Sequence, residues 1–131
     1  MARYGFTERK RILIVDDSDA VRDTWHDWLT IWGFDVEEAG NGAEALRKAA
    51  AFRPDLVLMD WTMPICDGQQ ATMMLKADSA TAQVPVLALS ADTFAPTPQE
   101  ALKAGCASFL GKPVSPESLL NEIRRAFRPR P

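Results

Sequence analysis

The sequence predicts a doubly wound α/β fold, with five parallel strands in the order 2-1-3-4-5 and helices on both faces of the sheet. Three observations lead there. Short apolar runs recur through the chain, Ile12 to Val15 and Leu56 to Met59 being the clearest, and they end on polar or turn-forming residues, as strands buried on both faces do. Between the runs lie segments with apolar residues at helical spacing, most of them opened by a capping residue. Strand and helix alternate five times, and right-handed crossovers then make the sheet parallel.

The first strand is Arg11 to Val15, β-branched and apolar, and it ends at Asp16-Asp17. Ser18 or Asp19 caps the helix that follows. Val21, Trp25, Trp28, Leu29 and Trp32 share one face of that helix, and Gly33 stops it. Three tryptophans on one stripe read as core packing, because aromatic rings at helical spacing bury themselves. His26 falls on the opposite face and reads as a solvated surface residue. Phe34 to Ala39 is a second strand, more alternating and so suited to a sheet edge. Gly40-Asn41-Gly42 is a turn, and Ala43 to Phe52 a helix with Ala45, Leu46, Ala49 and Phe52 inward.

Leu56 to Met59 forms the third strand and delivers Asp60 to its end. Asp67 caps a third helix running to about Lys76. Val84 to Leu89 is the fourth strand, ending at Ser90-Ala91. Thr97-Pro98-Gln99-Glu100 has the form of a capping box with proline at N1, so the fourth helix starts there and closes at Gly105. Ala107 to Leu110 is the fifth strand, followed by Gly111-Lys112-Pro113. Ser115-Pro116-Glu117 opens the last helix, with Leu119, Leu120, Ile123 and Phe127 inward. The strand order is that of flavodoxin-like proteins, whose ligands bind at the carboxyl ends of the strands.

Bulk properties are consistent with this. The chain has 131 residues, 47% hydrophobic and 25% charged, which fits a single globular domain. That domain is assigned to residues 11–128, with an arm at 1–10 and a tail at 129–131. A net charge of −3 argues against direct nucleic-acid binding. No apolar run approaches membrane-spanning length and no secretory signal is visible, so no membrane role is expected and the expected compartment is the cytoplasm. Cys66 and Cys106 then read as reduced thiols.

Parallel strands send all their carboxyl ends to one edge. Asp16 and Asp17 from strand one, Asp60 from strand three, Ser90 from strand four and Lys112 from strand five should therefore meet. Any one of them alone is a cap, a turn or a surface residue, but their convergence is not explained that way. Three carboxylates in one cleft repel, and a hard divalent cation with oxygen ligands relieves that repulsion; Mg2+ fits best. With Lys112 and the Ser90 hydroxyl aimed at the same spot, the cleft suits a phosphoryl group. Asp60 is placed to act as its nucleophile, giving an acyl phosphate.

These residues carry a resemblance. Asp16-Asp17, Asp60 followed by Met63-Pro64 and Asp67-Gly68, Ser90-Ala91 and Lys112-Pro113, in this order and spacing, resemble the receiver domain of two-component response regulators, in particular single-domain chemotaxis regulators. The resemblance implies that Asp60 is the phosphoacceptor, with a sensor histidine kinase or a histidine phosphotransfer protein as donor. It implies that Asp17, Asp60 and the backbone carbonyl of Thr62 bind Mg2+, with Asp16 acting through a metal-bound water. Ser90 and Lys112 would contact the phosphoryl oxygens, Lys112-Pro113 would be a cis peptide, and Phe109 would be the switch aromatic. A downstream protein would dock on the face of the fourth helix, fifth strand and fifth helix. On this reading the chain is not an enzyme beyond self-phosphorylation and autodephosphorylation.

Some features stand apart from the family pattern. Trp61 follows the acceptor, with a rim placement and a packed one both open. Pro98 implies a late, short fourth helix and a reshaped loop over Asp92 to Thr97. No output domain is visible after Phe127, so the chain reads as a stand-alone regulator, a phosphorelay intermediate, or a module of a hybrid kinase or larger regulator. Two rivals fit worse. A haloacid-dehalogenase-type phosphatase wants a second acid two residues after the nucleophile, where Thr62 stands, and Asp16-Asp17 would repel the phosphate of FMN. A receiver-like scaffold that is never phosphorylated is the remaining alternative.

Overall fold

The computed structural model describes residues 9–61, 63, 66–91 and 97–128. Strands β1 (Arg11–Val15), β2 (Asp35–Ala39), β3 (Leu56–Asp60), β4 (Val86–Ser90) and β5 (Ser108–Gly111) alternate with helices. These are α1 (Asp19–Ile31), α2 (Gly42–Phe52), α3 (Gly68–Ala77), α4 (Pro98–Ala104) and α5 (Pro116–Phe127). The sheet is parallel throughout, in the predicted order β2-β1-β3-β4-β5.

Side chains alternate across each central strand, so each strand feeds two cores. Leu13, Val15, Val57, Met59, Val86 and Ala88 point to one face, where Ala45 and Ala49 of α2, Ala71 and Leu75 of α3, and Ala101 of α4 cover them. Ile12, Ile14, Leu56, Leu58, Leu87 and Leu89 point to the other, under Trp25 and Leu29 of α1 and Leu119 and Ile123 of α5. The tryptophan stripe is therefore core, with Trp28 and Trp32 half-buried at its margin and their ring centroids 6.4 Å apart. Leu120 and Phe127 are likewise marginal to α5's buried pair. The edge strand β2 buries only Ala39 fully, as its alternating sequence implies.

The element boundaries differ from the sequence reading for identifiable reasons. β2 starts at Asp35 because the Phe34 N–H is used to close α1. It donates to the Leu29 carbonyl at 3.0 Å while Gly33, at φ 98°, donates to Thr30 at 3.0 Å. That is a Schellman closure. α2 begins at Gly42, with Asn41 as its N-cap accepting from the Glu44 N–H. β4 begins at Val86 because Pro85 has no N–H and the Val84 N–H turns back to Thr81 at 3.0 Å. β5 ends one residue later than expected, at Gly111. α4 has the predicted late start and short length, with Thr97 accepting from the Glu100 N–H at 3.1 Å and Gly105 left-handed at φ 108°. Residues 92–96, including Asp92 and Pro96, lie outside the described residues.

His26 requires a correction. It is not simply solvated, because its Nδ1 lies 2.7 Å from Glu38 Oε2 on β2. Trp61 is settled as packed inward, 8% exposed within the core cluster that holds Met63 and Ala71. Cys66 is a half-buried free thiol and Cys106 a buried one.

Candidate functional site

The sheet topology places the polar strand ends together. Asp16 continues β1 by one residue, its N–H donating to the Ala39 carbonyl at 3.1 Å. Its carboxylate is 1% exposed, with Oδ1 accepting the Ser18 N–H at 2.9 Å and Oδ2 accepting Lys112 Nζ at 2.7 Å. Asp17, next in the chain, is exposed. Asp60 ends β3 at 4% exposure. The chain after it is pinned on both sides: the Trp61 N–H donates to the Leu89 carbonyl at 2.8 Å, and the Trp61 carbonyl accepts the Gly68 N–H at 3.1 Å. Ser90 ends β4, 2% exposed.

Lys112 reaches in from the β5 end. Its N–H donates to the Ser90 carbonyl at 2.8 Å, and the Lys112–Pro113 peptide is cis. The ammonium sits 2.7 Å from Asp16 and 3.4 Å from Asp60 and rests 5.4 Å above the Trp25 ring. Beside it an open cleft of about 430 Å³ runs between Val21, Thr24 and Trp25 of α1 and Pro113 and Val114. Phe109 of β5 is half-buried against the core face that α3 and α4 cover. The Thr62 carbonyl lies outside the described residues.

Asp16, Asp17 and Asp60 each offer a carboxylate oxygen, and these oxygens lie within 4.8 Å of one another. Three carboxylates converge there, two of them largely buried, with the Lys112 ammonium against Asp16 and Asp60. Repulsion of that kind is relieved by a divalent cation, and an all-oxygen donor set with room for water matches magnesium in chemistry. The residues therefore fit the ion the sequence calls for.

Arg22 and Trp25 were not singled out as site residues in the sequence. Trp25 carries the Lys112 ammonium on its ring face. Arg22 donates through Nη1 to the Asp16 carbonyl at 2.6 Å. Trp25 could be read only as core from its spacing, and a lone arginine on a helix carries no signature of the carbonyl it will reach. Among the described residues, no helix is long and apolar enough to cross a membrane.

Comparison with known proteins agrees with this geometry. A family model described as the response regulator receiver domain matches residues 12–124. The polar-differentiation response regulator DivK of Brucella anthropi is 30% identical over 115 residues, covering 88% of this chain and 94% of the relative. Other relatives, DNA-binding response regulators among them, are spanned over only about half their length. Among solved structures, the chemotaxis protein CheY4 of Vibrio cholerae superposes with a TM-score of 0.86 at 32% identity, covering 92% of this chain and all of that one. The receiver domain of the sensor histidine kinase PA1611 of Pseudomonas aeruginosa superposes with a TM-score of 0.82 at 30% identity, covering 90% and 97%. That structure holds a magnesium ion coordinated in its active-site cleft.

Proposed function

The chain belongs to the response regulator receiver family, and we propose that it works as a phosphoacceptor switch, with Asp60 taking a phosphoryl group from a phosphohistidine. The donor would be a sensor histidine kinase or a histidine phosphotransfer protein. The observation that carries this reading is the meeting of Asp16, Asp17 and Asp60 within 4.8 Å, with Lys112 bridging two of them.

In the transfer, an Asp60 carboxylate oxygen forms the bond to phosphorus while the phosphorus–nitrogen bond to the donor imidazole breaks. The imidazole keeps that electron pair, and Asp60 becomes an acyl phosphate. Asp16, Asp17 and Asp60, with the Thr62 carbonyl, would hold Mg2+, which when bound supplies positive charge against the oxygens of the transferred group. Lys112 gives a fixed charge on the same group. Its present bonds to Asp16 and Asp60 show the direction in which it is held. Ser90, buried at the next strand end, would donate its hydroxyl to a phosphoryl oxygen.

A new dianion offers Ser90 and Lys112 a further, strongly charged partner, and that differential contact would shift a two-state element. Lys112 and Phe109 lie at or beside β5, so the shift would reach the face made by α4, β5 and α5, where a downstream protein would dock. The chemistry is self-modification of Asp60 followed by hydrolysis of its own acyl phosphate.

The test is intact-mass measurement after incubation with Mg2+ and acetyl phosphate, beside D60N. One phosphoryl group on the wild type and none on D60N is the expected result. If a folded, magnesium-binding chain stays unmodified both by acetyl phosphate and by a panel of histidine kinases, it is a binding scaffold and not a phosphoacceptor.

A further inference from the structure

We propose that Arg22 is a positioning residue for the cation site, holding the Asp16–Asp17 peptide in the orientation that brings both carboxylates to Asp60. The inference rests on the reading of that cluster as a magnesium site. Arg22 lies in the first turn of α1, and its guanidinium makes three contacts there. Nη1 donates to the Asp16 carbonyl at 2.6 Å, Nε donates to Glu38 Oε1 at 3.2 Å, and Nη2 pairs with Asp19. The Arg22 side chain is 17% exposed, so its contacts are largely shielded from water. The turn after β2 closes over it, with Nη1 at 3.5 Å from where a Cβ on Gly40 would sit.

Asp16 and Asp17 are held in different ways. The Asp16 carboxylate is gripped from two sides, by the Ser18 N–H and by Lys112. Among the described residues, no hydrogen bond holds the exposed Asp17 carboxylate, so its direction follows from the backbone that carries it. The Asp16 carbonyl and the Asp17 nitrogen share one planar peptide. A donor fixed on that carbonyl therefore sets the plane from which Asp17 departs. Glu38 ties the donor to the sheet edge, and its other oxygen is in turn held by His26 at 2.7 Å.

Charge alone predicts the opposite effect. A guanidinium on the Asp16 carbonyl, next to the carboxylate cluster, repels an incoming cation, so deleting a mere bystander charge tightens magnesium binding. A group that orients metal ligands does the reverse, since its loss weakens binding by roughly 10–100-fold. The sign of the change separates the two.

The experiment is a magnesium titration of the metal-free chain, followed by tryptophan emission and by calorimetry, with thermal melts in EDTA to confirm folding. R22M is expected to bind magnesium about 10-fold more weakly than wild type. R22K keeps the charge but loses the fork that spans Asp16 and Glu38, and is expected to fall between the two. If R22M binds as tightly as wild type, or more tightly, the proposal is overturned. Should R22M fail to fold, R22K decides alone, and wild-type affinity in R22K overturns it. A wild-type chain that binds no magnesium, or one whose binding D17N leaves unchanged, overturns the site reading and this proposal with it.

Discussion

Replacing Gly68 by alanine should damage both the fold and the site, because Gly68 is where α3 touches the strand that carries Asp60. A Cβ built on Gly68 would lie 2.5 Å from the Asp60 carbonyl oxygen, 2.7 Å from Trp61 Cα and 3.1 Å from the Asp60 carbonyl carbon. Carbon–carbon contacts are relaxed only at about 3.5–4.0 Å, so the gap is short by close to 1 Å. All three atoms are backbone, and no side chain can turn away. Either α3 retreats, stretching the 3.1 Å bond from the Gly68 N–H to the Trp61 carbonyl, or the Asp60–Trp61 segment moves. Overpacking of this kind costs about 1–3 kcal/mol and the weakened bond adds up to about 1 kcal/mol. Against that, alanine gains about 1 kcal/mol over glycine in a helix. The net is a loss of roughly 1–3 kcal/mol, read by urea unfolding in EDTA. Magnesium affinity should fall as well, since the displaced carbonyl belongs to the residue whose carboxylate joins the triad. G111A is the internal control: a Cβ there meets nothing within 4 Å. It should be neutral, or up to about 1 kcal/mol more stable through a stiffer unfolded chain. If G68A were indistinguishable from wild type in both measurements, α3 would be free to back away and the close approach would be irrelevant.

Lys112→Met removes the cation that bridges Asp16 and Asp60. Without magnesium it should destabilise the fold by about 1–3 kcal/mol, less than a fully buried pair would lose because the ammonium keeps some exposure. Saturating magnesium should restore much of that loss, and equal urea midpoints for the two proteins in EDTA would refute the account. Burial pushes the Cys106 thiol from an ordinary 9.0 up to about 11. Between about pH 9 and 11 the unfolded thiol loses its proton while the folded one keeps it, so stability falls as pH rises, by at most about 1.4 kcal/mol per pH unit. Lys76, pushed down from 10.5 by burial, has the opposite sign, because its unfolded form holds the proton longer. C106A should therefore show a flatter alkaline decline than wild type, and parallel declines in urea unfolding would count against the buried-thiol explanation. Iodoacetamide at pH 8 should label the half-buried Cys66 well before the buried Cys106, with peptide mass spectrometry reading the order.

The fold was legible because its signals are periodic and local. Leu56 to Met59 could be only a short buried run, and Thr97, Pro98, Glu100 and Gly105 bracket a helix by chemistry that acts within a few residues. Boundaries were missed where a backbone group chose between two partners. The Phe34 N–H could have joined the sheet or closed α1, and nothing in the one-dimensional pattern tells which carbonyl it finds. Trp61 was undecided for a related reason: a large ring after a strand end is equally compatible with the rim and with the core until the packing of α3 is known.

The candidate site shows what topology can and cannot convey. Asp16 and Lys112 are 96 residues apart and lie 2.7 Å from one another, yet the sequence brought them together. Both follow strands, and a parallel sheet sends every strand end to the same edge, so long sequence separation was no obstacle. His26 and Glu38 are 12 residues apart and were not matched at all. One sits on a helix and the other on a strand, and their contact depends on how α1 crosses the edge strand and how far it is rotated. Neither the 3.6-residue nor the 2-residue period encodes that angle. Arg22 falls under the same limit: its reach to the Asp16 carbonyl is set by the tilt of α1 over β2, with Glu38 as the anchor. The groups that can receive chemistry were therefore readable from strand order alone. The groups that aim them belong to contacts between unlike elements, where three-dimensional packing makes the choice.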